Sequence, residues 1–387
     1  MSNTFRAPCG FSFADGFSQI ILQEMNTFNK RSLTKPDGRS MTLYSRREID
    51  TKIEATNPIH DPVTNRPHLR WHPLRAEWVA FAAHRQNRTF LPPKEYNPLA
   101  PSASKEHPTE LPVGDYDVAV FDNLFSSLDP RSETAPAEYV PTRPADGTTE
   151  VIVFTQDPEG SLSRLPLDHI ELLLKVWADR TSEITRTGHI KYVLPFENRG
   201  VEVGVTLHHP HGQIYAYPFI PPVQMKMVET QKAHFSAHNR GLFEDIIASE
   251  RKAADRMIFD DGQTVSFIPC FARYPYETYI APVRKVPYLS SLTDKEIKSL
   301  ALVLKTTLLK FDALWSKPFP YLMALYQAPT DGDSHDEFHM HFEFYPPLRT
   351  KDRLKYLAGT EIAAGLFVND SLPEEKAVEL RQIEIQL

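Results

Sequence analysis

Apolar residues recur along this chain at two periods, and stretches of the two kinds alternate. Ile170, Leu173, Leu174, Trp177 and Ile184 fall on one stripe at helical spacing, and Ile297, Leu300, Ala301, Leu304, Leu308 and Phe311 fall on a second. Such stripes predict two amphipathic helices, each burying one face. The second stripe opens on Thr293-Asp294-Lys295-Glu296, where hydroxyl and carboxylate can each satisfy the other residue's backbone donor, so a helix is predicted to start there. A short strand-like run precedes each helix, Glu150 to Thr155 and Thr278 to Val283. An alternating run follows each, Gly212 to Phe219 and His339 to Pro346.

The order strand, turn, helix, strand therefore occurs twice. The closing strands overlay as His209-x-His211-x-Gln213-x-Tyr215 on His339-x-His341-x-Glu343-x-Tyr345. This reads as an internal duplication of one α+β unit, an antiparallel sheet packed with helices, with domains at 1–224 and 225–387. The competing reading is chance likeness between two amphipathic strands.

Length agrees with two units, since 387 residues exceed one ordinary core and an apolar content of 41% can fill two. Proline is used heavily, 33 residues in all, and is concentrated in 91–113 and 129–144, which read as ordered surface loops. A net charge of -7, with Lys and Arg scattered singly, offers no footprint for a nucleic-acid backbone. Any phosphate bound is therefore expected to be small and held locally. The first residues lack a charged-then-apolar signal pattern, and no apolar run approaches the roughly 20 residues that span a bilayer. The expectation is a cytoplasmic protein with no membrane and no nucleic-acid partner. Cys9 and Cys270, far apart in sequence, suit free thiols.

The candidate chemistry lies on the closing strand of the first unit. Residues two apart on a strand share a face, so His209, His211 and Gln213 form a row. Proline and glycine interleave it, one removing a backbone donor and the other permitting close approach of a ligand. A single histidine is most often a satisfied core or surface residue. In this row, a neutral His211 imidazole could attack phosphorus if one ring nitrogen is free and the other is held as a donor. Gln213 can donate an amide proton to a phosphoryl oxygen but cannot act as a general acid or base, which favours transfer over hydrolysis.

At these residues a family resemblance becomes specific. Phe196 to Phe219, FENRGVEVGVTLHHPHGQIYAYPF, resembles the signature of the galactose-1-phosphate uridylyltransferase family, the transferase branch of the histidine-triad superfamily. Arg70 to Arg88, Val120 to Phe125, Tyr274 to Pro282 and Tyr345 to Arg349 resemble further landmarks, so the likeness runs from Arg70 to Asn369. It implies tandem duplicated histidine-triad-like domains and a ping-pong exchange. His211 would take the uridylyl group from UDP-glucose, release glucose 1-phosphate and pass the group to galactose 1-phosphate. By position, Gln213 would stabilise the uridylyl-histidine, and Asn198, Gly204 and Thr206 would line the phosphates. Arg85, Arg88 and Asn123 would face the nucleotide and its phosphates. Lys355 and Glu361 would reach the hexose from the partner subunit of a homodimer.

The sequence also departs from that pattern. Many members of the family hold a structural zinc with a CxxC pair, a further histidine and the first His of HPH. Here the matching stretch reads Asn97-Pro98-Leu99-Ala100, and Pro158 stands for the third ligand. His209 alone cannot hold a tetrahedral ion, so no zinc is expected there, and His209 is assigned a hydrogen-bonding or packing role. No cofactor is required for the chemistry. The second-half cluster of His335, His339, His341 and Glu343 suits either a metal or a hydrogen-bonded polar row. Thr360 and Phe367 replace two hexose-facing residues, which leaves the preferred hexose open. Two other functions compete: a phosphorylase of the same superfamily, in which inorganic phosphate resolves the intermediate, and a non-catalytic nucleotide-sugar sensor.

Overall fold

A computed structural model describes residues 28–58, 66–87, 92–93, 96–104 and 106–387. The described chain enters on a hairpin, β1 (Asn29–Thr34) and β2 (Ser40–Ser45), then forms β3 (His68–His72), β4 (Glu77–Phe81), β5 (Val118–Asp122), β6 (Thr142–Pro144) and β7 (Thr148–Val153). Helix α1 (Leu167–Thr185) leads into β8 (Tyr192–Arg199) and β9 (His211–Tyr217). Two further helices, α2 (Pro222–His238) and α3 (Leu242–Ala253), precede β10 (Met257–Asp260), β11 (Thr264–Phe267) and β12 (Thr278–Pro282). Helix α4 (Asp294–Leu314) leads into β13 (Tyr321–Tyr326) and β14 (His341–Tyr345). The chain then forms a short hairpin, β15 (Leu348–Thr350) with β16 (Arg353–Leu354), and ends with α5 (Pro373–Arg381).

Eleven of these strands make one antiparallel sheet in the order β1-β2-β5-β7-β9-β8-β13-β14-β12-β11-β10. The order is palindromic about β8 and β13, so β7-α1-β8-β9 and β12-α4-β13-β14 are two copies of one unit laid edge to edge. That is the tandem antiparallel arrangement the repeated pattern predicted. Each unit holds one more strand than the hydrophobic pattern suggested. The strand that starts at HxH does not follow the helix directly, because β8 or β13 intervenes; β8 mixes buried charge with apolar residues, and β13 is an apolar run without alternation. Both predicted helices form, and α4 starts on the expected cap: Thr293 Oγ1 accepts from the Glu296 amide, and the Glu296 carboxylate accepts from the Thr293 amide.

The units share one main core, where the length had suggested two. Helices α1 and α4 pack together on one face of the sheet, and residues of both halves form a single apolar cluster there. Trp177 of α1, fully buried, sets its indole edge-on to Phe154 at 6.0 Å and against Phe342 of the second half at 6.1 Å. Side chains alternate strictly along β9: Gly212, Ile214 and Ala216 enter the core, whereas His211, Gln213, Tyr215 and Tyr217 face the other side. The small sheet β4-β3-β6 covers part of that side against Tyr215 and Tyr217. The loop over 96–111 is less superficial than its prolines implied, since Leu99 is 3% exposed and Leu111 fully buried.

Replacing Trp177 with Ala should cost about 3–5 kcal/mol of stability. Because its contacts reach both halves, urea unfolding should remain one transition by near- and far-ultraviolet dichroism. Two separated transitions would contradict a shared core.

Candidate active site

His211 begins β9, and its Nδ1 lies 2.7 Å from the main-chain oxygen of His209. A carbonyl oxygen can only accept, so Nδ1 carries the proton and Nε2 keeps a free lone pair. Burial holds the imidazole below its ordinary pKa, with the bond to His209 opposing in part. The ring is therefore neutral near pH 7, as a nitrogen nucleophile must be.

Gln213 follows on the same face of the strand, and a relay of amides sets its orientation. The Phe125 amide donates to Asn123 Oδ1 at 2.9 Å, which turns Asn123 Nδ2 toward Gln213 Oε1 at 3.3 Å. The Gln213 oxygen is thus occupied and its NH2 group is left as donor. Asn123, expected on the nucleotide side, also orients Gln213, the neighbour of His211 on that face.

His211 and Gln213 stand where two cavities meet. The larger, about 550 Å³, runs across β9, β8, β13 and β14, with Asn198, Gly204 and Thr206 on its walls. The smaller, about 260 Å³, is lined by Leu99, Phe121, Asn123 and Phe125. Arg85 and Thr206 border both, and the Arg85 guanidinium is tied to the Phe125 carbonyl. Gly204 takes a left-handed φ of 79°, with nothing near the position of a Cβ, so its role is to turn the chain. Gly212 serves packing on the core side, not ligand approach. A Cβ there would lie 2.8 Å from both the Phe154 ring and the Phe196 carbonyl.

The remaining candidates divide. Arg88 lies outside the described residues. Lys355 donates to the Val368 carbonyl and lies 3.7 Å from Glu361, whose carboxylate accepts from the Ala358 and Val368 amides. The two brace one loop, and neither lines a cavity with His211. The second-half cluster is a hydrogen-bonded row and not a converging metal cage. His335 bonds Asp331 and Glu337, His339 bonds the Pro282 carbonyl, and His341 bonds the His339 carbonyl and Glu343. Among the described residues no group of three or more His, Cys, Asp or Glu could hold a metal. The His209 ring faces Asn97 and the Thr155 carbonyl, and burial pushes its pKa down to about 4.

Sequence reasoning missed the wall supplied by the second half. Arg273, Tyr274, Tyr326 and Tyr345 line the larger cavity together with His211. Tyr274 and Tyr345 open two of the landmark motifs, so the signal was present but carried no role until β8 met β13.

A neutral imidazole with one nitrogen tethered and the other free, beside an amide donor at a junction of cavities, is the equipment of a nucleotidyltransferase. Family models for galactose-1-phosphate uridyl transferase match twice, the N-terminal domain over residues 59–221 and the C-terminal domain over 227–386. The chain belongs to that family. A galactose-1-phosphate uridylyltransferase of Thermotoga maritima is 36% identical over 326 residues, covering 82% of this chain and 99% of that protein. One of Streptomyces lividans is 32% identical over 374 residues, covering 92% and 98%. A solved uridylyltransferase structure superposes with a TM-score of 0.72 at 31% identity, covering 81% of this chain and 97% of the other. An ADP-glucose phosphorylase from Arabidopsis thaliana with bound ADP-glucose shares the fold, with a TM-score of 0.62 at 23% identity over 82% of this chain and its own full length.

Activity should follow the depressed pKa of His211. A base held neutral by burial loses activity only as pH falls through its folded pKa, below the ordinary 6.5. Single-turnover rates measured from roughly pH 5 to 8 should be level at neutral pH and fall on the acid side. An inflection above 6.5 would contradict the buried, neutral nucleophile.

Proposed function

We propose that this chain exchanges uridylyl groups between UDP-glucose and galactose 1-phosphate through a covalent uridylyl-histidine at His211. The observation that carries this reading is the free Nε2 of His211, presented to both cavities while Nδ1 is tethered. The aromatic-lined smaller cavity suits the uridine, and the larger one suits the hexose and the leaving phosphate. The Nε2 lone pair bonds to the α-phosphorus as the bond to the glucose 1-phosphate oxygen breaks, and that anion departs. Galactose 1-phosphate then enters, and its phosphate oxygen attacks the same phosphorus and frees His211. The Gln213 amide and Arg85 meet the charge that builds on the phosphoryl oxygens. Gln213 cannot remove a proton from water, so hydrolysis is not assisted. Asn198 Oδ1 has no hydrogen-bond partner among the described residues, and a substrate hydroxyl would supply the donor it lacks.

The working form is read as a homodimer in which Lys355 and Glu361 enter the neighbouring site. Around them Tyr356, Ile362 and Leu366 are 76%, 62% and 65% exposed, an apolar stretch suited to burial against a second copy. We infer a cytoplasmic protein, because the exposed free thiol of Cys270 suits a reducing compartment. We also infer that no zinc sits at His209, so elemental analysis should find far less than one zinc per chain.

Incubation with UDP-glucose labelled at the α-phosphate should leave acid-labile label on the wild type and none on His211→Ala. Galactose 1-phosphate should discharge that label faster than inorganic phosphate. Label undiminished on His211→Ala would overturn the mechanism, and faster discharge by phosphate would make the enzyme a phosphorylase.

A further inference from the structure

The hydrogen bonds around His209 fix its protonation pattern. The Leu99 amide can only donate and lies 3.0 Å from Asn97 Oδ1. Asn97 Nδ2, which can also only donate, therefore points at His209 Nδ1, 3.1 Å away. Nδ1 is an acceptor, so the ring proton sits on Nε2 and is given to the Thr155 carbonyl at 2.7 Å. The main-chain oxygen of this immobilised residue is the acceptor for His211 Nδ1. Three links thus join Asn97 to the nucleophile: amide to ring, ring to backbone, and backbone to the second ring.

The second unit provides an internal comparison. His339 repeats the bond from Nε2 to a strand-end carbonyl, Pro282 at 2.8 Å, and its own carbonyl accepts from His341 Nδ1 at 2.9 Å. Its Nδ1, however, is buried with no hydrogen-bond partner among the described residues. The unit that carries the open nucleophile has the asparagine donor, and the unit that does not lacks it.

We propose that Asn97 is a positioning residue for uridylyl transfer, its side-chain amide doing the fixing that a metal ion would do at the corresponding place. It selects one tautomer of His209, keeps that ring bonded to Thr155, and so aims the carbonyl that orients His211. The assignment rests on His211 being the uridylyl acceptor. Without the amide, a buried Nδ1 is left unsatisfied, and the ring gains nothing from keeping its present tautomer.

Asn97→Asp is isosteric and tests the donor alone. A carboxylate can accept from the Leu99 amide, but it can accept from His209 Nδ1, while Nε2 still donates to Thr155, only if the ring carries protons on both nitrogens. Histidine labelled with nitrogen-15 in the full chain reports this directly. In the wild type near neutral pH, His209 should show one bare Nδ1 and one protonated Nε2, and His211 the reverse. In Asn97→Asp both nitrogens of His209 should be protonated, and in Asn97→Ala its single tautomer should be lost. Formation of the uridylyl-enzyme should slow by about 10- to 100-fold in both variants, with the Kd for UDP-glucose much less affected. An unchanged His209 spectrum in both variants, or an unchanged rate despite an altered spectrum, would overturn the assignment. The spectra are read on the free protein, so failure of the positioning role appears there. Failure of the functional reading would appear as absent label on the wild type.

Discussion

The site depends on four residue pairs that join β8 to β13: Arg199 with Tyr321, Asn198 with Leu322, Glu197 with Met323, and Phe196 with Ala324. Each unit alone would leave this strand as an open edge, and pairing removes both edges at once. It also carries the larger cavity across the seam, so residues from two copies of one unit line the same space. Beneath the seam, on the helix side, Tyr321 donates to Glu197 at 2.8 Å and Arg199 is paired with Asp312. Burial lifts the Glu197 carboxyl to about 7, opposed by Arg199 and by the Tyr321 bond. Such a buried network contributes little net stability but specifies register. A slip of one residue would turn Glu197 into the cavity and bury Asn198 and Phe196.

Duplication supplied the same backbone device twice, and the two copies were put to different use. In both, a histidine donates through Nδ1 to the carbonyl two residues before it. In the first copy Gln213 follows, and its oxygen is held by Asn123, so Nε2 of His211 stays open. In the second copy Glu343 follows, and its carboxylate takes Nε2 of His341 at 3.0 Å. The Phe243 ring of α3 stacks on that imidazole at 4.3 Å and closes the face from above. One amide-to-carboxylate difference and one stacked ring separate the open Nε2 of His211 from the closed Nε2 of His341.

The features legible in the sequence were those with a local signature. The two helices, the HxH strands, the duplication and the His211–Gln213 row all follow from spacing alone. Strand β8 was missed because its buried charge answers to a partner far along the chain, Glu197 to Tyr321, and β13 because its apolar run shows no alternation. The shared core was missed for a related reason, since periodicity shows that a helix buries one face but not which unit it is buried against. The hairpin β1-β2 carried no legible role, yet it has one. Arg39 is wholly buried and bonds Asp37, Asn57 and Glu110, while Lys35 reaches Glu110 at 2.9 Å. Glu110 closes the loop that begins at Asn97, its amide donating to the Pro98 carbonyl at 2.9 Å.

That clamp explains how weak bonds can hold a catalytic ring. A single neutral hydrogen bond contributes about 1 kcal/mol net, far less than a structural zinc supplies. The Asn97 amide could not hold His209 if its own loop moved. Its loop is fixed by Leu99 and Leu111 in the second apolar cluster and by the Pro98–Glu110 bond. Glu110 is in turn held by Arg39 and Lys35 from the N-terminal hairpin. The order required at His211 therefore comes from packing and ion pairs spread over residues 35–111, and Asn97 passes it to the imidazole through one well-aimed donor.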